Sequence, residues 1–136
     1  RMDEARANGV PVIYSCDAHY KKDPEFRVWP KHAVKGSEGA RVVKELAPEK
    51  GDIVIFKKSY SGFYETTLEK ALKSIGAKEL TITGVCTEIC VLYTTADAYM
   101  RGYRVEVPED CSAALTSEDH RFALKQMKQV LKPAQS

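Results

Sequence analysis

The sequence predicts an α/β protein, a three-layer αβα sandwich with helices on both faces of a mostly parallel, doubly wound sheet. Segments rich in Val, Ile, Thr and Tyr, each bounded by turn residues, indicate strands at residues 11–16, 52–57, 80–84 and 103–107. They show little alternation of polar and apolar side chains, which is typical of parallel strands covered on both faces. Helical patterns lie between them, and this order favours a right-handed α/β architecture.

The helical patterns differ in strength. Residues 1–9 resemble the later part of a helix that ends at Gly9. A weak pattern over 37–46 is interrupted by Gly39, whereas 67–75 and 88–101 each end close to a glycine. Thr116 opens a capping box that predicts a last helix through residue 131.

Length and composition favour a single domain spanning residues 1–136. Hydrophobic residues make up 43% and charged residues 29%, which is the globular range. The net charge of +2 is small and the basic residues are scattered, so neither nucleic acid nor membrane is expected as a partner. The four cysteines lack the spacing of a zinc motif, and a reducing cytoplasm is the expected compartment. A homo-oligomer is also expected.

Ligands of parallel sheets bind beyond the carboxyl ends of the strands. Asp17 and His19 follow the first strand, two residues apart, and in an extended segment their side chains leave on the same side. With His32 they form a set suited to zinc, iron or manganese. The alternative is that His32 is a surface residue and Trp29 a core residue of the same long loop.

Two further residues suit nucleophilic catalysis. Lys57 ends a hydrophobic strand, where its charge is costly unless it faces a polar group such as a thiolate or carboxylate. Cys90 lies where a strand gives way to a helix, and the positive end of the helix dipole there favours the thiolate. The alternatives are a solvated lysine and a small buried thiol.

Together these motifs resemble the isochorismatase-like cysteine hydrolases, and most of all their nicotinamidase branch. The matching pieces occur in the family's order along essentially the whole chain: Asp17-x-His19, Trp29-Pro-x-His32, Lys57 followed by Tyr60-Ser-x-Phe63, and Gly84-Val-x-Thr-Glu-x-Cys90-Val. The cysteine and tryptophan–histidine blocks are the specific ones.

The resemblance implies a role for each matching residue. Cys90 would be the nucleophile, Lys57 its cationic partner, and Trp29 an aromatic wall of the substrate pocket. A divalent metal, zinc before iron or manganese, would be held by Asp17, His19 and His32. The peptide bond between Val85 and Cys86 would be cis and would turn the Cys86 N–H, with that of Cys90, towards an oxyanion.

One part of the family pattern has no match in this sequence. The family's triad begins with an Asp at the end of a central first strand, and Asp3 cannot replace it because it lies on the opening helix. We therefore expect this chain to be a fragment whose sheet has a gap of about 10 Å. We also expect that this chain does not turn over substrate without that strand.

The resemblance implies hydrolysis of nicotinamide to nicotinate and ammonia through a cysteine thioester. One alternative is another cysteine amidase of this fold, acting on a carbamoyl compound or a different aromatic amide. A second alternative is a non-catalytic member that keeps the fold to bind a partner.

Overall fold

The computed structural model describes residues 1–131, whose strands and helices alternate in the predicted α/β pattern. They divide into two compact units, one formed by Arg1–Ser59 and one beginning at Tyr60. Every strand pair is parallel, as predicted. Over residues 1–131, each helix is too short or too polar to cross a bilayer.

The first unit contains helix α1 (Met2–Ala7) and two parallel strands, β1 (Ile13–Asp17) and β2 (Ile53–Lys57). Their register places Asp17 opposite Lys57, so two charged side chains end the two strands side by side. Gly9 follows α1 with a φ of +70°, a conformation that only glycine adopts at little cost. The predicted helix end at Gly9 is therefore confirmed.

The helix predicted over 37–46 is wrong. Two separate 3-10 turns, Glu38–Ala40 and Lys44–Leu46, occupy that region, and another spans Pro24–Arg27. Gly39 weakens helix propensity, and the segment has no continuous apolar stripe that packing could stabilise. The long connection between β1 and β2 is consequently built of short turns.

The second unit contains the remaining regular elements. In chain order they are α2 (Leu68–Ser74), β3 (Glu79–Thr81), β4 (Gly84–Val85), a π-helical turn (Thr87–Val91), α3 (Leu92–Met100), β5 (Arg104–Glu106), a 3-10 turn (Glu109–Cys111), β6 (Ser112–Ala113) and α4 (Ser117–Val130). Strand β3 pairs with β5, and β4 pairs with β6.

The strand predicted over 80–84 is therefore two short strands, β3 and β4. Gly84 has a φ of +122°, which lies outside the range of extended L-residues and redirects the chain there. Strand β6 was not predicted, because a two-residue strand carries no periodic signal.

The core of the second unit lies between α4 and the segment that carries Cys90. Val91 packs there with three buried residues of α4: Ala123, Leu124 and Met127. The strands are less covered than predicted. In β2, Ile55 and Lys57 are buried, whereas Phe56 between them is 61% exposed, so one face of this strand is open in the described residues.

Candidate active site

Three of the predicted site residues lie together at the end of β1. One ligand atom from each of Asp17, His19 and His32 lies within 4.8 Å of the other two. The loop folds back because the His19 N–H donates to the Ala33 carbonyl at 3.0 Å. His19 is fully buried, and its ring centroid lies 4.8 Å from that of His32.

The chemistry of this cluster fits a metal ion. Nδ1 of His19 lies 3.1 Å from Oδ2 of Asp23, a carboxylate oxygen that also accepts from the Tyr20 N–H at 2.9 Å. The second ring nitrogen, Nε2, is buried and has no hydrogen-bond partner among residues 1–131. An orphaned nitrogen inside a protein is costly, and a cation would compensate it. Zinc ligands lie about 2.0–2.2 Å from the ion, so donors this close need only small movements.

Glu25 also faces this cluster, and the sequence analysis missed it. Its Oε1 lies 3.5 Å from Nε2 of His32 and 3.7 Å from Nε2 of His19. A carboxylate oxygen between two imidazole nitrogens can become a fourth ligand. The sequence showed only that Glu25 is an acidic residue in the same loop as the histidines. Its distance from them depends on how that loop closes, which the sequence does not reveal.

Trp29 is half-buried, so it is neither a fully buried core residue nor a freely exposed one. Its backbone N–H donates to the Glu25 carbonyl at 3.0 Å, which ties it to the turn beside the predicted metal ligands. Its role as a pocket wall stays a prediction.

Lys57 is buried, and its charge is compensated. Its ammonium group donates to Oδ1 of Asp17 and to the Ser59 carbonyl, the latter at 2.8 Å. The alternative of a solvated lysine is therefore wrong. Burial raises the pKa of the neighbouring Cys16 thiol; the Asp17 charge raises it further and Lys57 opposes the change. Cys16 is consequently held as a neutral thiol.

Cys90 lies in the second unit, in the π-helical turn that leads into α3. The helix predicted over residues 88–101 is therefore corrected at its beginning, where the π-helical turn contains Cys90. The Cys86 carbonyl accepts from the N–H of Ile89 and from that of Val91, each at 3.1 Å, and the second bond spans five residues. Apolar spacing does not distinguish this wider turn from an α-helical one. Cys90 still precedes the positive end of α3, where a thiolate is favoured.

The peptide bond between Val85 and Cys86 is cis. Cys86 immediately precedes the π-helical turn, and Cys90 lies four residues later, half-buried. The contribution of the Cys86 and Cys90 N–H groups to an oxyanion site stays a prediction.

The fold and these residues agree with a known family. The model of the isochorismatase domain matches residues 1–136, and the chain therefore belongs to the isochorismatase family of hydrolases. Curated relatives from Bacillus subtilis include the isochorismatase family protein YaaI, 34% identical over 95% of this chain and 71% of its own. They also include the isochorismatase family protein PncA, 38% identical over 86% of this chain and 69% of its own.

Solved structures give the same result. The N-carbamoylsarcosine amidase of Thermoplasma acidophilum is 36% identical with a TM-score of 0.89, covering 99% of this chain and 79% of its own. The nicotinamidase PncA of Bacillus subtilis is 32% identical with a TM-score of 0.87, covering 94% and 75%. The pyrazinamidase of Pyrococcus horikoshii, solved in complex with zinc, is 30% identical with a TM-score of 0.86, covering 93% and 75%.

Proposed function

We propose that this hydrolase is a metal-dependent amidase that converts nicotinamide to nicotinate and ammonia through a thioester on Cys90. The observation that carries the proposal is the cluster of Asp17, His19 and His32, with its buried, unpartnered imidazole nitrogen. Nicotinamide carries a pyridine nitrogen, which is a good ligand for a metal with open positions, whereas an aliphatic amide offers no such group. The similarity to a nicotinamidase and to a zinc-bound pyrazinamidase supports the same choice.

The metal would be held by Asp17, His19 and His32, with Glu25 as a further ligand, and zinc fits this set of donors best. When bound, it supplies a Lewis-acidic position that orients the ring nitrogen of the substrate. The ring of His19 is already arranged for this, because Asp23 holds its Nδ1 and leaves Nε2 for the ion.

In the proposed mechanism, Cys90 is the residue that forms and breaks bonds with the substrate. Its thiolate attacks the carboxamide carbon, a sulfur–carbon bond forms, and an electron pair moves to the carbonyl oxygen. The N–H groups of Cys86 and Cys90 are the proposed donors to that oxyanion. Collapse of the intermediate expels the nitrogen, which takes up the proton lost by the thiol and leaves as ammonia. Water then hydrolyses the thioester. Lys57 contributes a fixed positive charge, and Trp29 a flat wall for the ring.

The role of Cys90 is tested by Cys90→Ala in the full natural protein loaded with zinc. We expect ammonia release from nicotinamide to fall by at least about 1,000-fold, because the nucleophile is lost and only binding remains. Zinc content should not change, since no proposed ligand has been altered. Ammonia release is followed with a coupled assay, and zinc by elemental analysis.

The matched control is Cys111→Ala. Cys111 is also half-buried in the second unit, but its described contact is the Asp110 carboxylate at 3.5 Å. We expect this variant to keep ammonia release within about twofold, as is usual for changes away from the reacting groups. Substantial turnover by Cys90→Ala would refute the thioester mechanism.

A second candidate function is hydrolysis of a carbamoyl compound by the same thiol. The similarity to N-carbamoylsarcosine amidase favours it. A carbamoyl substrate offers no ring nitrogen to a metal, so its hydrolysis would survive removal of the ion, whereas nicotinamide hydrolysis would not.

A further inference from the structure

The segment between the cis peptide and Cys90 is held by a side chain from the last helix. Thr87, the first residue of the π-helical turn, is fully buried, and its Oγ1 lies 2.9 Å from Nδ1 of His120 on α4. The direction of this hydrogen bond depends on the imidazole tautomer. The two residues are 33 positions apart in sequence, so the bond is a tertiary contact rather than a local turn.

The next residue of the turn is held from the same side. Oε1 of Glu88 accepts the Leu115 N–H at 3.0 Å, immediately before the first turn of α4. Two successive residues, Thr87 and Glu88, are thus fixed by the region that begins α4. Val91 continues the contact, because it packs against Ala123 and its neighbours in the core.

The position of α4 is in turn well determined. Thr116 caps its first turn by accepting the Asp119 N–H at 3.1 Å. Buried side chains on one face of the helix then pack against the Cys90 segment. A fixed helix that holds Thr87 therefore limits how far the backbone on either side of it can move, including the Cys86 N–H one residue before it.

We propose that His120 is a positioning residue for the reaction: its bond to Thr87 holds the Cys86–Cys90 turn in the geometry that the nucleophile and the oxyanion donors require. The proposal rests on the proposed function, because it assigns these groups to the same thioester chemistry. Oxyanion donors are effective only when they are fixed before the charge develops, so loosening the turn lowers kcat more than substrate affinity.

The experiment compares His120→Ala and Thr87→Val with His120→Asn in the full natural protein. Asn places an amide atom near the position of Nδ1 and should restore the bond to Thr87. We expect amide hydrogen exchange in peptides covering residues 84–92 to become about tenfold faster in His120→Ala and Thr87→Val, because a buried hydrogen bond is lost. It should return towards the original rate in His120→Asn.

The same variants should lower kcat much more than they change KM. We expect kcat for nicotinamide to fall by about 10- to 100-fold in His120→Ala and Thr87→Val, because a small misplacement of reacting groups has effects of this size. KM should change by less than about threefold, since the metal site is untouched. The double variant should be no slower than either single one, because both remove the same bond.

Two controls separate positioning from general stability. Thr95→Val removes the hydroxyl of another fully buried threonine, whose Oγ1 has no partner among residues 1–131, and Arg121→Ala changes the exposed neighbour of His120. In both variants, kcat and the rate of amide hydrogen exchange in residues 84–92 should equal those of the unmodified protein.

Unchanged exchange in His120→Ala would overturn the proposal, and so would faster exchange with unchanged kcat. If the unmodified protein released no ammonia from nicotinamide, the proposed function would fail, while the exchange data would still decide whether His120 holds the turn.

Discussion

In the first unit, the charged side chain of Arg6 joins residues that are far apart in the sequence. Arg6 on α1 donates to Oδ2 of Asp52 at 2.7 Å and to the Tyr14 hydroxyl at 3.0 Å, joining the helix to the strand region. The hydrogen bond from Arg6 lowers the pKa of Asp52. A second hydrogen bond, from the Glu49 N–H to Oδ2 of Asp52 at 2.8 Å, lowers it further. The Asp52 carboxylate is consequently favoured in the folded state.

This pair predicts a pH dependence of stability. A carboxyl group with a lowered folded pKa stabilises the protein above its unfolded pKa, about 3.9, and the contribution is lost as the pH falls through the folded value. We expect Asp52→Asn to lower the free energy of unfolding at pH 7. We also expect the free energy of unfolding of this variant to fall less steeply as the pH drops below about 4. Urea unfolding midpoints at pH 7 and in acid measure both effects.

The control for this prediction is Asp3→Asn, because Asp3 binds the same arginine at 3.2 Å but is 96% exposed. An exposed pair contributes little, so its removal should leave the pH profile nearly unchanged. The Asp52 side chain is only 5% exposed, and equal effects of the two substitutions would show that this difference in exposure does not determine the pH dependence.

At the scale of elements, the sequence predicted the beginning of α4 correctly. The capping motif at Thr116 predicts a helix start there, and α4 begins at the next residue. The Thr116 hydroxyl also donates to Oδ2 of Asp119 at 2.6 Å, so the two side chains hold each other. This cap matters beyond α4 itself, because the helix packs against the turn that carries Cys90.

Thr116→Ala should lower the free energy of unfolding by about 1 kcal/mol, because one helix N–H loses its acceptor. Urea unfolding followed by circular dichroism measures the loss. Ser117→Ala, at the exposed first position of the same helix, serves as control and should change it by less than about 0.5 kcal/mol. A similar loss in both variants would contradict the capping role of Thr116.

At the scale of the whole molecule, the proposed metal would link stability to activity. An ion that binds only the folded chain stabilises it by about 2.7 kcal/mol at 100 times its dissociation constant. Because the proposed ligands come from β1 and from the long loop after it, metal binding would also restrict that loop. A cytoplasmic homo-oligomer stays a prediction at this scale.

Metal removal is therefore the most informative treatment of the whole protein. We expect a chelator to lower Tm by several degrees and to abolish nicotinamide hydrolysis, with both restored by zinc. Glu25→Gln should weaken zinc binding by about tenfold, as expected for a ligand-shell change. Glu38→Gln, at an exposed site in the same loop, should not alter it. Full nicotinamide hydrolysis without metal would contradict the proposed metal dependence. Hydrolysis of a carbamoyl compound that survives the chelator would favour the carbamoyl amidase.

The sequence predicted elements wherever a local pattern was strong. The strand before Asp17 and the strand that ends at Lys57 lie where predicted, because β-branched runs bounded by turn residues are a local signal. The helix over 37–46 and the undivided strand over 80–84 were wrong. At Gly84 the positive φ value redirects the chain, and such a value is set by the folded backbone. In 37–46 the helical pattern is too weak to form a helix without packing, and the segment forms two short turns instead.

The sequence by itself determined the kinds of chemical group available: side chains of metal-ligating type at Asp17, His19 and His32, a cation at Lys57, and a thiol at Cys90. Only the tertiary structure decided which groups meet. Lys57 binds Asp17 across 40 residues, and His120 binds Thr87 across 33, while Glu25 approaches the two histidines through loop closure. Periodicity and spacing report neighbours along one element, whereas these contacts form only when distant segments pack together.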